Sequence, residues 1–462
     1  MKAIKNKHNQ FSIFHLTWPI FLELFLFMLM GLMDTFMLSA VSDEAAAGVG
    51  AANQYIQIAI LLLEVVGIGA AIVVAQYLGS RKFQEASQIS ALAITMNILL
   101  GLLISSYFIF FADELMSVLH VQGDVYNYAS QYLFIVGGGI FLQALINVSA
   151  AIIRVHGATK QVMYVSFGMN IIHVILNYLL IFGTLGFPEL GVKGAAISSI
   201  VSRLIILLVF IWMLYNTMEV RIQLHDYKNF SKDYVKKILS IGFPAAIEQV
   251  MYQACQLVFL FYATFLGAEA LAARQYAMNI SMFTYLFAAA IGMGTAIIVG
   301  RRVGANEKME AYEQVWKSVK WAFGVTVLMV LLVAIFRYPL MDLFTDNPTV
   351  IEMGVSVLLL SVLLETGRTF NIVIINSLRA AGDAKFPVIV GGFSMVLGSL
   401  SLGYLFTFHF HMGLTGIWLA IAIDEWTRGI IMSFRWRSKK WEKYALVSTE
   451  NKSAPTVGIE SA

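Results

Sequence analysis

The sequence contains twelve apolar runs, each long enough to cross a lipid bilayer as a helix. About 20 predominantly apolar residues are needed for one crossing. Because lipid offers no hydrogen-bond partner to an exposed backbone, such runs predict helices rather than open strands. The runs lie near residues 14–38, 52–77, 88–111, 129–152, 162–184, 193–215, 239–265, 277–300, 317–336, 351–374, 387–408 and 414–434.

The composition excludes a soluble enzyme and a nucleic-acid-binding protein. Hydrophobic residues make up 59% of the 462 residues, and charged residues only 13%. A soluble domain has about a quarter of its residues charged, so this chain has too few to cover a water-facing surface. The single cysteine, Cys255, excludes an internal disulfide and a multi-cysteine metal site. The sequence therefore predicts an all-α, multi-pass membrane protein.

The distribution of basic residues predicts the orientation of the spans. If both termini are cytoplasmic, 25 of the 31 Lys and Arg residues lie on the cytoplasmic side and three on the outer side. The other three, Arg203, Arg368 and Arg428, lie inside spans. Cytoplasmic loops are enriched in Lys and Arg. We therefore predict a plasma-membrane protein with both termini in the cytoplasm.

The two halves of the chain are related by an internal repeat. Each half has six spans, so both halves enter the membrane from the same side, which predicts a parallel repeat of two pseudo-symmetric six-helix bundles. Two such bundles around a central cleft are typical of alternating-access transporters. The matched residues lie 225 positions apart and include Pro19 with Pro244, Glu23 with Glu248, Gly79 with Gly304, Arg154 with Arg379, and Gly157 with Gly382.

These patterns divide the chain into five segments. Residues 14–216 and 239–436 are predicted to form the N-terminal and C-terminal lobes, joined by a cytoplasmic linker over residues 217–238. Residues 1–13 are predicted to form a cytoplasmic N-terminal tail. Residues 437–462, basic and then polar, are predicted to form a cytoplasmic and disordered C-terminal tail.

Four short motifs indicate a family. The loop after the second span reads QYLGSRKFQEA over 76–86, and its counterpart reads RRVGANEKMEA over 301–311. The tenth span ends in LRAAGD at 378–383, and LGVKGAA follows the fifth span at 190–196. In this order and with twelve spans, the set resembles the multidrug and toxic compound extrusion (MATE) family over residues 14–436. The resemblance implies a V-shaped, two-lobed secondary active exporter. Such a protein antiports amphiphilic, often cationic compounds against H⁺ or Na⁺.

Acids inside the spans are candidates for ion coupling, because a charge at bilayer depth costs about 2.5–3.5 kcal/mol on insertion scales. Asp34, in the outer half of the first span, has no basic residue within one helical turn along the chain. Removal from water favours the protonated form of such a carboxylate. Its oxygens would also suit Na⁺. A Na⁺ site at Asp34 is the one metal site that we consider. The resemblance implies that Asp34 is the ion-coupling acid, with His173, Asn177 and Ser199 as partners.

These partner positions differ from the usual family pattern. Many relatives have Asn and then Asp where this chain has His173 and Asn177, and Thr is common where this chain has Ser199. Without the second carboxylate a pre-formed Na⁺ site is poorer, so the sequence favours H⁺ as the coupling ion. His173 is a possible additional titrating group. The alternative for both Asp34 and His173 is a purely structural hydrogen bond between helices.

Four further residues are predicted to line the substrate cavity. Glu23 and Glu248 are equivalent in the repeat, and each follows a proline by four residues. Glu23 lies three helical turns before Asp34, so the two share a helix face that we expect to line the cleft. The family often has an acid about one turn beyond Glu248, near Tyr252 or Gln253. The alternative for Glu248 is a structural contact at the backbone disturbed by the proline.

Two pairs of charges in the C-terminal lobe are predicted to be structural. Glu365 and Arg368 are three residues apart, and Asp424 and Arg428 are four apart, so each pair can close an ion pair on one helix. The family commonly has an acid near position 368. This chain has Arg368 instead, which argues against a cation site in this lobe. Glu64 has no acidic counterpart in the second half, and the sequence assigns it no role.

Two other functions stay open at this point. A flippase for lipid-linked oligosaccharides would favour a cationic cavity, whereas the spans hold seven acids and three arginines. A polytopic membrane enzyme would need clustered catalytic residues, and we find no such motif in the sequence. We therefore expect no enzyme activity, no cofactor, no nucleic-acid ligand and no obligate protein partner.

Overall fold

The computed structural model describes residues 12–216, 218 and 221–447, and the predicted N-terminal tail lies largely outside them. Helices dominate, and no strand occurs within these ranges. The twelve long helices are α1 (Ile13–Ser39), α2 (Asp43–Gly79), α3 (Phe83–Val118), α4 (Gly123–Gly137 with Ile140–Val155), α5 (Thr159–Phe182), α6 (Val192–Asn216), α7 (Lys232–Thr264), α8 (Ala268–Gly304), α9 (Lys308–Ile335), α10 (Pro348–Ala380), α11 (Lys385–His409) and α12 (Leu414–Arg437).

Length and composition suit most of these helices to a bilayer. Among the described residues, nine helices are long and apolar enough to cross a membrane, or ten if the two parts of α4, bent by 47°, count as one span. The remaining two, α7 and α12, carry polar side chains near their middles, among them Glu248 on α7 and Asp424, Glu425 and Arg428 on α12. These polar side chains explain why the two helices are less apolar than the other ten.

Each half of the chain forms one lobe. In the N-terminal lobe, α2 packs against α3 and α4, and α1 packs against α5. In the C-terminal lobe, α10 packs against both α8 and α12. The two long helices α2 and α8 also contact the opposite lobe, where α2 meets α7 and α8 meets α1. The predicted all-α fold of twelve spans in two six-helix bundles is confirmed.

The repeat is visible in the backbone as well as in the sequence. Arg81 and Asn306, at equivalent positions, turn the chain after α2 and α8 with φ of 59° and 63°. Gly157 and Gly382 do the same after α4 and α10 with φ of 89° and 99°, which glycine adopts without steric cost. We call the end of the molecule that holds these four turns the basic end.

At the basic end, two equivalent glycines bring the lobes into backbone contact. A Cβ atom added at Gly79 would lie 1.9 Å from the carbonyl oxygen of Arg301, and one added at Gly304 would lie 1.9 Å from that of Gln76. No side chain larger than hydrogen fits at either position without backbone movement. Since Gln76 and Arg301 are themselves equivalent, the same contact is made twice.

Two equivalent hydrogen bonds also join the lobes here. The Gln76 side chain of α2 donates from Nε2 to the carbonyl oxygen of Ala380 at 2.7 Å. The Arg301 side chain of α8 donates from Nε to the carbonyl oxygen of Val155 at 2.8 Å. Together with the glycine contacts, these bonds hold the two lobes together at the basic end.

Part of the segment predicted to be a disordered tail is instead ordered. Residues 438–447 include a 3₁₀ turn, Lys440–Tyr444, in which Trp441 is fully buried and stacks on Trp436 with ring centroids 4.2 Å apart. The backbone N–H of Leu446 then donates to Oε1 of Gln76 at 2.8 Å, in the opposite lobe. The buried indole pair supplies the apolar contact that holds this segment. The rest of the predicted tail, 448–462, lies outside the described residues.

Candidate functional site

The acid of the first span lies against the fifth span, as the family resemblance implies. Nδ2 of Asn177 donates to Oδ1 of Asp34 at 2.7 Å, and Nε2 of His173 lies 3.3 Å from the same oxygen. His173 and Asn177 are one helical turn apart on α5, so both face α1. Both are buried, whereas the Asp34 side chain is 20% exposed. The structure thus brings together three of the four predicted ion-coupling residues.

Ser199, the fourth predicted residue, belongs to the next layer of contacts. It is hydrogen-bonded to Tyr132 of α4, and both side chains are buried. Tyr132 interacts electrostatically with Asp34, so Ser199 is linked to the acid through the tyrosine. Sequence reasoning missed Tyr132, because a tyrosine in an apolar span carries no signal that distinguishes it from lipid-facing residues.

Arg203 of α6 is the one cation close to this acid among the described residues. It interacts electrostatically with Asp34, His173 and Tyr132. No ion pair joins it to Asp34 within 4 Å, and its Nη1 is buried without a hydrogen-bond partner in the described ranges. The sequence showed Arg203 inside a span, but its proximity to Asp34 arises from the packing of α6.

The site retains unused hydrogen-bonding atoms. Oδ1 of Asn177 and Nδ1 of His173 are buried, and neither has a hydrogen-bond partner among the described residues. Buried polar atoms are normally paired, so unpaired ones need an explanation. Here they leave the surroundings of Asp34 able to accept a further proton or a cation. No group of three or more His, Cys, Asp or Glu residues in the described ranges could hold a metal ion by itself.

The two acids predicted to line the substrate cavity form equivalent ion pairs. Oε1 of Glu23 lies 2.6 Å from Nη2 of Arg154, and Oε2 of Glu248 lies 2.6 Å from Nη2 of Arg379. All four side chains are between 11% and 17% exposed, so each pair is mostly removed from solvent. The equivalent arginines of α4 and α10 thus neutralise the acids that follow the prolines of α1 and α7.

The other two predicted cavity residues lie on α7. The hydroxyl of Tyr252 accepts a hydrogen bond from Nε2 of Gln256 at 3.0 Å, one turn further along the helix. Gln256 in turn accepts a hydrogen bond at Oε1 from Arg274 of α8 at 3.2 Å. Gln253 is exposed on the adjacent face of α7. The two residues therefore differ, since Tyr252 is part of a polar network whereas Gln253 is exposed.

The four residues predicted to form structural pairs are joined into one network. Nη1 of Arg368 lies 2.6 Å from Oε1 of Glu365, and Nη2 of Arg428 lies 2.9 Å from Oδ2 of Asp424. Glu425 connects the two pairs, because its Oε1 lies 3.4 Å from Nε of Arg368 and 3.1 Å from Nη2 of Arg428. The network holds three acids and two arginines across α10 and α12.

Neutral groups complete this network. Asn371 donates from Nδ2 to Oε2 of Glu425 at 2.8 Å, and the Ser394 hydroxyl donates to Oδ1 of Asp424. Ser394 begins a π-helical segment of α11, Ser394–Leu400, a local irregularity that is frequent at functional sites. Glu425 is one of the seven acids inside the predicted spans, and its position three residues before Arg428 was a usable signal of this contact.

The fold and these sites together define a polytopic α-helical membrane protein built from a duplicated six-helix unit with buried charges in both lobes. A sequence profile of the MatE family matches residues 19–179 and 244–405, one match in each lobe. The chain belongs to this family, the multidrug and toxic compound extrusion family that its motifs resemble. It is accordingly a transporter and not an enzyme.

Named relatives align over nearly the whole chain. The chain is 41% identical to the uncharacterized transporter YisQ of Bacillus subtilis (strain 168), over 95% of this chain and 96% of that protein. It is 28% identical to a probable multidrug resistance protein NorM of Thermotoga maritima, over 95% and 94%. A solved outward-facing conformation of a multidrug resistance MATE family transporter of the MOP superfamily has a TM-score of 0.85. That match has 22% identity and covers 92% of this chain and 95% of the other, so it shows a shared fold.

Proposed function

We propose that this protein is a secondary active multidrug exporter of the plasma membrane. It antiports amphiphilic, often cationic compounds against H⁺ or Na⁺ by alternating access. One observation carries the proposal. The close contacts of Asp34, which are Asn177 and His173, need carry no charge, so Asp34 can gain or lose a cation without breaking an ion pair to arginine or lysine.

The coupling step follows from the bond between α1 and α5. When Asp34 is ionised, its carboxylate accepts the Asn177 amide and holds the two helices together. Binding of a proton removes the negative charge, and a hydrogen bond to a neutral group is weaker than one to a carboxylate. The relative positions of α1 and α5 can then change. If this change lowers the affinity for the exported compound, binding of the ion and binding of the compound are coupled.

We favour H⁺ over Na⁺ as the coupling ion. Around Asp34 the oxygens that could coordinate Na⁺ are the unpaired Oδ1 of Asn177 and the hydroxyls of Tyr132 and Ser199. Arg203 interacts with the same acid, and its positive charge opposes the entry of a second permanent cation. His173 contributes a nitrogen that suits a proton better than it suits Na⁺, which prefers oxygen ligands.

Export requires a defined orientation. We infer that the basic end faces the cytoplasm, because 25 of the 31 Lys and Arg residues lie on that side in the predicted topology. The lobes are joined at this end, so the conformation described here would offer its cleft to the outer side. The compound would then be released outward, and the coupling ion would enter from outside.

The test uses purified full-length protein in proteoliposomes loaded with a fluorescent organic cation. An imposed pH gradient and an imposed Na⁺ gradient are applied separately, and movement of the dye against its concentration gradient is measured. We expect transport under the pH gradient in the wild type and none in Asp34→Asn. Asp43→Asn is the matched control, because Asp43 is exposed at the start of α2.

Three results would contradict parts of this proposal. If the wild type moves no dye under either gradient, the exporter function is wrong. If only the Na⁺ gradient drives transport, the preference for H⁺ is wrong. If Asp34→Asn transports as well as Asp43→Asn, Asp34 is not the coupling residue.

A further inference from the structure

Glu64 differs from every other intramembrane acid in the described part of the chain. It has neither a hydrogen bond nor an ion pair within 4 Å there. The other six acids each have a close partner. These are Glu23 with Arg154, Asp34 with Asn177, Glu248 with Arg379, Glu365 with Arg368, Asp424 with Arg428, and Glu425 with Asn371.

The neighbours of Glu64 place it between the two lobes. It lies on α2, where Leu63 and Val66 are buried but Glu64 itself is exposed. It interacts electrostatically with Arg154 of the N-terminal lobe and with Tyr285 of the C-terminal lobe. A Cβ atom added at Gly242 of α7 would lie 1.9 Å from the carbonyl oxygen of Val65, so α2 touches the opposite lobe directly beside Glu64. The exposed Glu64 side chain therefore lies at the boundary between the lobes.

A polar stripe on the same helix face supports this placement. Gln54, Gln57 and Glu64 are separated by three and seven residues, so they lie on one side of α2, and all three are exposed. The equivalent helix α8 exposes Gln275 and Asn279 in the corresponding region. Polar side chains within spans normally face a protein interior or a water-filled cavity. The two stripes therefore line the cleft from opposite lobes.

The repeat is broken at this position. The counterpart of Glu64, 225 positions later, is Ala289 on α8. At this position of the repeat, only the N-terminal lobe carries an acid. There is also space beside it, because a Cβ atom added at Gly67, one turn along α2, would meet no atom within 4 Å.

We propose that Glu64 is the anionic anchor for the positive charge of a monovalent organic cation in the cleft, with Tyr285 of the facing lobe as an aromatic neighbour. This inference rests on the proposed function, which it extends to the residue that selects the charge of the compound. Glu64 is close enough to Arg154 to interact with it but forms no ion pair within 4 Å in the described ranges, so no bonded cation has to be displaced. The face of a tyrosine ring also attracts cations within about 6 Å. The ion-paired acids Glu23 and Glu248 would first have to release their arginines.

Equilibrium binding to the purified full-length protein in detergent tests the assignment. The probes are tetraphenylphosphonium, a monovalent organic cation, and N-phenyl-1-naphthylamine, an uncharged amphiphile. We expect Glu64→Gln to raise the Kd for tetraphenylphosphonium about tenfold, and to change that for the naphthylamine less than about twofold. Glu44→Gln, the same change at an exposed position outside the span on α2, is expected to alter neither.

A charge-preserving variant separates electrostatics from folding. Glu64→Asp keeps the carboxylate, and we expect it to keep the preference for the cation over the uncharged probe even if Glu64→Gln is not recovered as folded protein. An unchanged Kd for tetraphenylphosphonium in Glu64→Gln would overturn the assignment, and so would an equal loss for both probes. Failure of the wild type to transport under any gradient would count against the proposed function instead, because the binding difference is measured without a gradient.

Discussion

The two lobes share a fold but surround their buried acids differently. In the N-terminal lobe, Asp34 is bonded to the amide of Asn177 and lies beside His173. In the C-terminal lobe, three acids share two arginines in one continuous network. Removing one member of a buried ion pair is strongly destabilising, whereas a carboxylate bonded to neutral groups can change charge at lower cost. One lobe is therefore suited to a change of charge, and the other to keeping its charges fixed.

The difference can be followed along the repeat. The counterpart of Asp34 on α7 is Phe259, which is only 2% exposed, so the C-terminal lobe has an apolar side chain where the N-terminal lobe has its acid. The ion pairs Glu23 with Arg154 and Glu248 with Arg379 are kept in both lobes. The duplicated framework has thus been preserved near the basic end, while the charges deeper in each lobe have diverged.

The largest effect on stability is expected for Arg428→Met. The substitution leaves Asp424 and Glu425 in the protein interior without the cation that both contact, which typically costs about 3–5 kcal/mol. The midpoint of thermal unfolding in detergent should fall accordingly. Arg221→Met, at an exposed position of the linker, is the control and should leave the midpoint unchanged. Similar midpoints for the two variants would mean that the network does not stabilise the C-terminal lobe.

A smaller and equal effect is expected for Glu23→Gln and Glu248→Gln. Each removes one charge from a mostly buried ion pair with a 2.6 Å contact. We expect each substitution to lower the free energy of unfolding by about 1–3 kcal/mol. Thermal unfolding of the two variants side by side measures this. A difference between them of more than about 1 kcal/mol would show that the pairs are equivalent in the repeat but not in energy, as the second hydrogen bond from Arg154 to Glu23 would produce.

Gln76→Ala is expected to destabilise the junction between the lobes by about 1–2 kcal/mol. The substitution removes two hydrogen bonds, one to Ala380 and one from Leu446. The protein should spend more time with its basic end open. Reactivity of a cysteine placed at Val155, which is buried and whose carbonyl oxygen is bonded across the junction, on a Cys255→Ala background, with a water-soluble maleimide reports this opening. Gln84→Ala is the control, since its contact with Asp226 lies within the N-terminal lobe and linker. Equal labelling of both variants would contradict a role for Gln76 in closure.

The smallest change in stability is expected for Asp34→Asn, although this variant should lose transport. An asparagine oxygen can still accept the Asn177 amide, so we expect the unfolding free energy to change by less than about 1 kcal/mol. Thermal unfolding of the purified variant measures this directly. A loss as large as that of Arg428→Met would mean that Asp34 is a structural residue and would remove the contrast between the lobes.

The candidate sites were only partly predictable from the sequence. Spacing on one helix predicted the contacts of Glu365 with Arg368 and of Asp424 with Arg428, and both contacts are present. The family resemblance led to His173 and Asn177 as neighbours of Asp34. The arginine that pairs with Glu23 lies 131 residues further along the chain, and no local pattern indicates such a partner.

By itself, the sequence determined the twelve helices, their grouping into two equivalent lobes and the family. These features follow from local requirements, because every span in lipid must be apolar and must satisfy its own backbone hydrogen bonds. Helix packing determined which charges pair between different helices. It joined Glu425 to both arginines of the C-terminal lobe, brought Arg203 towards Asp34 and left Glu64 without a close partner. The physical reason is that ion pairs between helices depend on distances of a few ångströms, which are set by how the helices pack and not by the sequence of either helix.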